Sequence, residues 1–319
     1  LISITFCYLY YHKFIVNADF YSPDSSGGIY AVLNFEALKP IQYRVLIPFI
    51  FKALSVIKLI SDKALFFLMT IALTYFILLS FYFLLNKYFL SKAHNYWLSP
   101  VIIYPMIWNY IILNGQFFYM DFSVLLIIIL GMYFIVSGKY NLLLLTFFLG
   151  TLNHPSVGYL LIAFLLFNYR RLLNKKTIIY GASMVVIYLA VYGIMNMVFT
   201  SRSGYFVIFN LPRNLSLFSI LPEHIILRDL IFNFGGLHIF LLIFFVTGLW
   251  KGFRSPLLYI NLTIIPYFLS VLISFSIEEI RNYIAIIPFI IIPSLIYLST
   301  FENSFLKTVE DLKPKPLSK

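Results

Sequence analysis

Long apolar runs separated by short polar stretches make up most of the chain, as in ALFFLMTIALTYFILLSFYFLL and TIIYGASMVVIYLAVYGIMNMVF. Such runs approach the roughly 20 residues that a helix needs to cross the hydrocarbon core of a bilayer. They lack the alternation of apolar and polar residues that marks the strands of a membrane barrel. The pattern therefore predicts an all-α, polytopic transmembrane helical protein with one membrane domain over residues 1–300 and a cytoplasmic tail at 301–319.

The runs predict about nine full crossings and one pair of short helices. After the first segment, the expected full crossings are 64–85, 96–113, 117–137, 177–199, 237–250, 256–275 and 282–299. Residues 1–16 are expected to be a retained helix rather than a signal peptide, because no small-x-small cleavage site follows them. Two long polar loops, 17–63 and 200–236, are expected on the outer face.

Two segments allow alternative interpretations. Residues 44–60 place Arg44, Lys52 and Lys58 on one flank of a helix, which is typical of a helix lying along the membrane surface. Residues 141–167 contain Asn153-His154-Pro155, and proline disfavours helix in the residue before it. We expect two short helices meeting at this break; the alternative makes 44–60 a span and 141–168 a single broken one.

Composition and charge agree with a membrane protein and exclude other classes. With 61% hydrophobic residues and a mean hydropathy of +0.92, the chain has too few polar residues to cover a soluble surface. The net charge of +11 is explained by basic cytoplasmic loops rather than by nucleic acid, and Arg170, Arg171, Lys175 and Lys176 form the clearest such block. The single cysteine, Cys7, excludes a disulfide framework and a thiol metal cluster.

The acidic residues fall mostly on the predicted outer side. These outer acids are Asp19, Asp24, Glu36, Asp62, Asp121, Glu223, Asp229, Glu278 and Glu279. The positive-inside rule does not require this bias, because it concerns Lys and Arg. The functional site is therefore expected on the outer face. The first loop, with Asp19, Asp24 and Arg44, is the strongest candidate for its location.

Asp121 is the sharpest single candidate, because an ionisable group at the edge of a membrane span is costly and by default suggests function. Its alternative role is to cap the helix or pair with a lysine. Arg281 can clamp a phosphate or pair with Glu278 and Glu279. His154 can be a ligand, but it more often satisfies the polar groups of a broken helix. The chain has no HExxH, Walker, GxGxxG or GxSxG motif.

Several of these motifs occur in an order that resembles bacterial GT-C-type membrane glycosyltransferases and their uncharacterised relatives. The motifs are an acid in the first loop, Tyr43-Arg44-Val45-Leu46-Ile47-Pro48, Asp121, Asn153-His154-Pro155, and Glu278 to Arg281 followed by Pro288. The resemblance implies a GT-C-like fold with interfacial helices in the first outer loop, in the bacterial inner membrane. It also implies transfer of a sugar from a polyprenyl-phosphate carrier to a glycan, lipid or protein acceptor at the outer face.

The resemblance further implies roles for individual residues. Asp24, or failing that Asp19, would be the general base, Arg44 and Arg281 would hold the carrier phosphate, and Asp121 would orient the acceptor or support a divalent cation. The other expected substrate-binding residues are Tyr30, Tyr43, Asn153, His154 and Glu278. No further cofactor and no nucleic acid are expected, and membrane lipid is a partner.

The chemistry is coherent in itself, because transfer from a phosphate-linked sugar needs a carboxylate near the acceptor and a cation at the leaving phosphate. Two other functions are consistent with the sequence. One is a transporter or flippase for a lipid-linked or anionic solute, with the Asn153 break as a discontinuous helix. The other is an inactive or scaffolding subunit of an envelope-polymer complex.

Overall fold

The computed structural model describes residues 2–10, 29–37, 41–89, 91–107, 120–199, 209–220, 236–246, 256–274 and 280–299. These ranges are helical and contain no β-strand, which confirms the all-α prediction for the part of the chain they cover. The α-helices are α1 (Ile2–Tyr10), α2 (Ile29–Leu33), α3 (Leu46–Ser55), α4 (Asp62–Leu85), α5 (Lys92–Leu98), α6 (Tyr104–Met106), α7 (Met120–Ser137), α8 (Tyr140–Thr151), α9 (Tyr159–Phe167), α10 (Lys175–Val198), α11 (Leu211–Ile220), α12 (Leu237–Val246), α13 (Pro256–Tyr259), α14 (Ile264–Ser274) and α15 (Ile287–Ser299). The 3-10 segments are Ile41–Tyr43, Ser99–Ile102, Pro155–Gly158, Tyr169–Arg171, Ile260–Thr263 and Ile280–Ile286.

Three helical runs in the described ranges are long and apolar enough to cross a membrane: Asp62–Leu85, Lys175–Val198 and Leu257–Ser274. The first two have 24 residues each, which corresponds to about 36 Å of helix. Shorter apolar helices also occur, at Leu46–Ser55, Asp121–Ser137, Tyr140–Thr151, Pro155–Phe167 and Tyr283–Leu298. A membrane-spanning protein fits these lengths, while the larger number of crossings stays a prediction.

The start of α4 is fixed by its local sequence. Ser61 is in an extended conformation, and its hydroxyl accepts a hydrogen bond from the amide of Ala64. Asp62 follows in the first turn, where a carboxylate interacts favourably with the positive end of the helix dipole.

Helix α3 has ten residues and is about 15 Å long, so it is too short to cross a bilayer by itself.

A tight turn joins α7 to α8. The Gly138 amide donates to the carbonyl of Ile135 (3.1 Å), and the Lys139 amide donates to that of Phe134 (3.0 Å). This is the Schellman pattern, which requires a left-handed residue after the helix, and Gly138 has φ +68°. The turn reverses the chain, so α7 and α8 form an antiparallel hairpin.

The expected break between α8 and α9 is confirmed. Leu152 is the C-cap of α8, and His154 has φ −161° and ψ 140°, the extended conformation favoured before proline. Pro155 then starts the segment Pro155–Gly158, where its missing N–H is not needed by a preceding helical turn. The backbone therefore resumes as a helix only after a polar corner.

The helices differ sharply in how far they are buried. All residues from 283 to 296 are buried, so α15 is the central helix, as expected for a helix that is apolar all round. The most apolar window of α10 is only 17% buried, against 39% for α4, so α10 lies at the periphery. Between α7 and α9, the Leu160 side chain packs directly onto Gly131, where a Cβ would lie 2.4 Å from Leu160 Cδ1.

Side-chain contacts define two ends of the helix bundle. Helices α4 and α7 pack along each other, and the rings of Phe83 and Tyr133, late in the two helices, lie 6.3 Å apart, so the helices run in parallel. At the same end, the Tyr180 hydroxyl of α10 donates to Asn141 Oδ1 of α8 (2.7 Å). We call this the basic end, because it carries Lys87, Lys139, Arg170, Arg171, Lys175 and Lys176. The starts of α4 and α7, with Asp62 and Asp121, lie at the opposite end.

Candidate functional site

The residues around Arg44 meet the helix break through the backbone. The amides of Val45 and Leu46 both donate to the carbonyl of Leu152, at 3.0 and 3.2 Å. Leu152 is the last residue before Asn153, which is fully buried. Two predicted site segments that are more than a hundred positions apart in the sequence are therefore adjacent in the structure.

Tyr43 and Arg44 are held against the far end of α10. The Tyr43 hydroxyl donates to Asn196 Oδ1 (3.0 Å), and the Tyr43 ring lies 6.4 Å from that of Tyr192 in a T-shaped arrangement. Arg44 interacts electrostatically with the Tyr192 hydroxyl, and the Nε atom of Arg44 is buried. Burial raises the pKa of Tyr43, so its hydroxyl stays protonated and continues to donate.

His154 caps the segment that follows the break. Its Nδ1 accepts a hydrogen bond from the amide of Ser156 (3.1 Å) and lies 2.7 Å from the Ser156 hydroxyl. Because an amide can only donate, Nδ1 carries no proton in this arrangement, and the proton of the neutral ring is on Nε2. His154 thus satisfies the broken helix, as the structural interpretation predicts, and keeps one N–H donor on its other side.

A chain of polar groups leads from the break to Asp121. The Ser156 side chain hydrogen bonds with the Tyr267 hydroxyl, and Tyr267 interacts electrostatically with Asp121. The ring of Tyr267 lies 4.5 Å from that of Tyr159, which fixes its position between α9 and α14. The hydroxyl of Tyr267 therefore lies beside Ser156 and within electrostatic range of the Asp121 carboxylate.

Asp121 is buried, with 5% of its surface exposed, at the start of α7. It also interacts electrostatically with Tyr10 of α1, whose ring lies 5.4 Å from that of the neighbouring Phe122. Asp121 also lies in the first turn of α7, where a carboxylate interacts favourably with the positive end of the helix dipole. The buried carboxylate nevertheless interacts with tyrosines from two different helices, Tyr10 of α1 and Tyr267 of α14.

We refer to these groups together as the polar cluster. Its members are Tyr43, Arg44, Asp121, Asn153, His154, Ser156, Tyr192, Asn196 and Tyr267. It contains one arginine and one carboxylate among hydroxyl, amide and imidazole groups. Such a set can hold an anion and orient the hydroxyl groups of a bound ligand.

Tyr30 makes a different contact. Its hydroxyl hydrogen bonds with the carboxylate of Asp62, and its ring packs 6.2 Å from that of Phe51 in a T-shaped arrangement. Burial and the negative charge of Asp62 raise the pKa of Tyr30 to about 12. Tyr30 therefore ties α2 to the start of α4, and nothing in these contacts brings it to Arg44.

The remaining predicted site residues are described in part or not at all. Asp19, Asp24 and Glu278 lie outside the described residues. Arg281 belongs to the segment Ile280–Ile286, which packs against α7, the helix that carries Asp121. Within the described ranges, no group of three or more His, Cys, Asp and Glu side chains could hold a metal ion.

Tyr192, Asn196, Ser156 and Tyr267 are cluster members that the sequence reasoning missed. A signal exists for the first two, because Tyr188, Tyr192 and Asn196 recur every four residues and so share one face of an apolar helix. Ser156 directly follows Pro155, so its position beside the break was visible in the sequence. Tyr267 had none, since it sits in an apolar run with other aromatic residues.

Comparison with known proteins identifies no family for this chain: no family model matches it, and no curated protein or solved structure is significantly similar to it.

Proposed function

We propose that this chain is an integral membrane glycosyltransferase that moves a sugar from a polyprenyl-phosphate carrier to an acceptor hydroxyl at the outer membrane face. The observation that carries the proposal is the meeting of Arg44 with the Asn153 break through the Val45 and Leu46 amides. Arg44 supplies a planar set of donors that matches phosphate oxygens. Asp121, which interacts electrostatically with Tyr267 beside the break, would supply the carboxylate.

The surroundings of Arg44 suit a lipid-linked donor. The short helix α3 follows directly and exposes Phe49, Ile50 and Leu54 together with Lys52. A helix of this kind lies along the membrane surface, with its apolar side chains in the lipid and its lysine near the headgroups. A carrier phosphate held by Arg44 would then sit at headgroup depth while its polyprenyl chain stays in the bilayer.

The reaction assigns a role to each group. The acceptor oxygen forms a bond to the anomeric carbon, the bond from that carbon to the phosphate oxygen breaks, and polyprenyl phosphate leaves with the electron pair. The acceptor proton passes to Asp24 or Asp19. Arg44 and Arg281 stabilise the leaving phosphate, Asp121 orients the acceptor, and Tyr43, Asn153, Glu278 and the Nε2–H of His154 bind the sugar.

The test uses the full chain in proteoliposomes supplied with radiolabelled polyprenyl-phosphate hexoses and pentoses and a membrane extract as acceptor. We expect transfer of label by the wild type and loss of transfer in an Asp19→Asn, Asp24→Asn double variant. Full turnover by that double variant would remove the general-base role. No transfer from any carrier-linked sugar by the wild type would count against the enzyme itself.

A second candidate function is transport of a lipid-linked or anionic solute, and the polar corner between α8 and α9 favours it. Discontinuous helices with buried polar groups form the substrate sites of many transporters. The same proteoliposomes distinguish the two functions. A transporter would move a fluorescent polyprenyl-phosphate sugar between leaflets without consuming it, whereas the glycosyltransferase would convert it to polyprenyl phosphate.

A further inference from the structure

A second polar site lies at the basic end, away from the polar cluster. A cavity of about 290 Å³ opens between the start of α8 and the start of α10. Lys139 and Lys176 line it from these two helices, together with Asn141, Leu142 and Tyr180. Neither the resemblance to glycosyltransferases nor the proposed reaction uses this cavity.

The two lysines give the cavity a positive charge that no carboxylate in the described ranges compensates. Both are exposed, and no described carboxylate forms an ion pair with either ammonium group. The acids within the described ranges are Glu36, Asp62 and Asp121, and Asp62 and Asp121 mark the opposite end. An anionic group entering the cavity would therefore meet two cations without displacing a described carboxylate from either.

The neutral groups of the cavity are also arranged as donors. The Tyr180 hydroxyl donates to Asn141 Oδ1 (2.7 Å), which leaves the amide NH₂ of Asn141 as a donor. The first turn of α8, residues 140–142, forms one wall. Backbone N–H groups in a first turn have no partner within the helix and so complement the lysines.

An exposed apolar stripe leads away from the cavity along α8. Leu142, Leu145 and Leu149 are 43%, 56% and 38% exposed, and their spacing places them on one face of the helix. Leu142 is both the first member of the stripe and part of the cavity wall. A charged pocket that continues into an apolar stripe matches a molecule with an anionic head and a hydrocarbon tail.

We propose that this cavity binds the phosphate of an anionic phospholipid, with an acyl chain lying along Leu142, Leu145 and Leu149. The basic end is the predicted cytoplasmic end, and basic pockets at that membrane surface bind anionic lipid headgroups. Each lysine near such a headgroup strengthens binding by about fivefold. The site holds a lipid and takes no part in the sugar transfer proposed above.

The test measures binding of phosphatidylglycerol to the purified full chain in detergent, by native mass spectrometry and by the shift in thermal unfolding. We expect Lys139→Gln and Lys176→Gln each to weaken binding about fivefold, and the double variant about 25-fold. Lys175→Gln is the matched control, because Lys175 is adjacent and exposed but does not line the cavity. Equal weakening by the control, or unchanged binding in the double variant, overturns the site.

Two further arms identify the source of the phosphate. Leu145→Gln is expected to weaken phosphatidylglycerol binding and to leave any effect of inorganic phosphate unchanged. Phosphatidylcholine, whose headgroup has no net charge, is expected to bind more weakly than phosphatidylglycerol. If inorganic phosphate stabilises the wild type in a lysine-dependent way and phosphatidylglycerol does not, the lipid assignment is wrong.

Discussion

The two ends of α10 make the same kind of hydrogen bond with different degrees of burial. At the basic end, the Tyr180 hydroxyl donates to Asn141 in an exposed position. At the other end, the Tyr43 hydroxyl donates to Asn196 in the partly buried surroundings of the polar cluster. The first bond competes with water, and the second joins a segment of the first loop to a helix that comes some 150 positions later in the sequence.

The two ends also differ in how their charged side chains are surrounded. At the basic end most of the cations are exposed, as Lys139 and Lys176 are, and no described carboxylate lies among them. In the polar cluster, Arg44 and Asp121 depend on groups contributed by several helices. Substitutions are therefore expected to matter little at the first end and strongly at the second.

The largest expected effect on sugar transfer comes from removing the cation of the polar cluster, and a cation removed from the basic end is its control. Arg44→Gln should lower sugar transfer at least about 100-fold, because a donor to the leaving phosphate acts mainly in the transition state. Lys175→Gln should leave transfer within about twofold, as expected for an exposed surface charge. The measurement is the initial rate of label transfer in proteoliposomes of equal protein content, and equal losses in both variants would break the comparison.

Close packing between α7 and α9, in the middle of the bundle, is expected to contribute to the free energy of unfolding. Gly131→Ala should destabilise the protein by about 1–3 kcal/mol, because its Cβ would overlap Leu160 between α7 and α9. Gly193→Ala is the matched control on peripheral α10, where a Cβ meets nothing within 4 Å, and it should stabilise the helix by up to about 1 kcal/mol. Denaturant titration followed by circular dichroism measures both changes.

The two tyrosine–asparagine bonds are compared by paired variants. Tyr43→Phe should lower the free energy of unfolding by about 0.5–1.5 kcal/mol, because Tyr43 is buried and its hydrogen bond to the exposed Asn196 is only partly open to water. Tyr180→Phe should cost less than about 0.5 kcal/mol, because water replaces the lost donor. A double-mutant cycle with Asn196→Ala or Asn141→Ala isolates each bond, and similar coupling energies at the two ends would contradict the account.

The smallest expected effect concerns pH. The pKa of Tyr30 is about 12 in the folded chain, above the ordinary value of 10.0, so the protonated hydroxyl favours the folded state. Its contribution to stability is fully present below pH 10 and is lost as the pH rises towards 12. Because other tyrosines also titrate, the measurement is the difference between the absorbance titrations of the wild type and Tyr30→Phe near 295 nm. We expect this one-tyrosine difference to appear near pH 12, and a difference that appears near pH 10 would show that the Asp62 contact is not formed.

Much of the framework could be predicted because its causes are local. Pro155 explains the break at Asn153 and His154, and continuous apolar runs explain α4 and α10. The pairing of Tyr30 with Asp62 and the role of Tyr267 could not be predicted, because each depends on which helices pack together. The same holds for Asp121, whose cost in an apolar segment is visible in the sequence while its tyrosine neighbours are not.

The most direct test of the central claim asks whether Arg44 and the Asn153 break meet in the intact membrane. With Cys7 replaced by serine, the chain has no other cysteine, so introduced pairs can be read without background. Val45→Cys with Leu152→Cys should cross-link under mild oxidation or with a short bis-maleimide, since the Val45 amide lies 3.0 Å from the Leu152 carbonyl. Val45→Cys with Lys175→Cys should not cross-link, because Lys175 begins α10 at the basic end. Cross-linking of the second pair, or its absence in the first, would contradict the account.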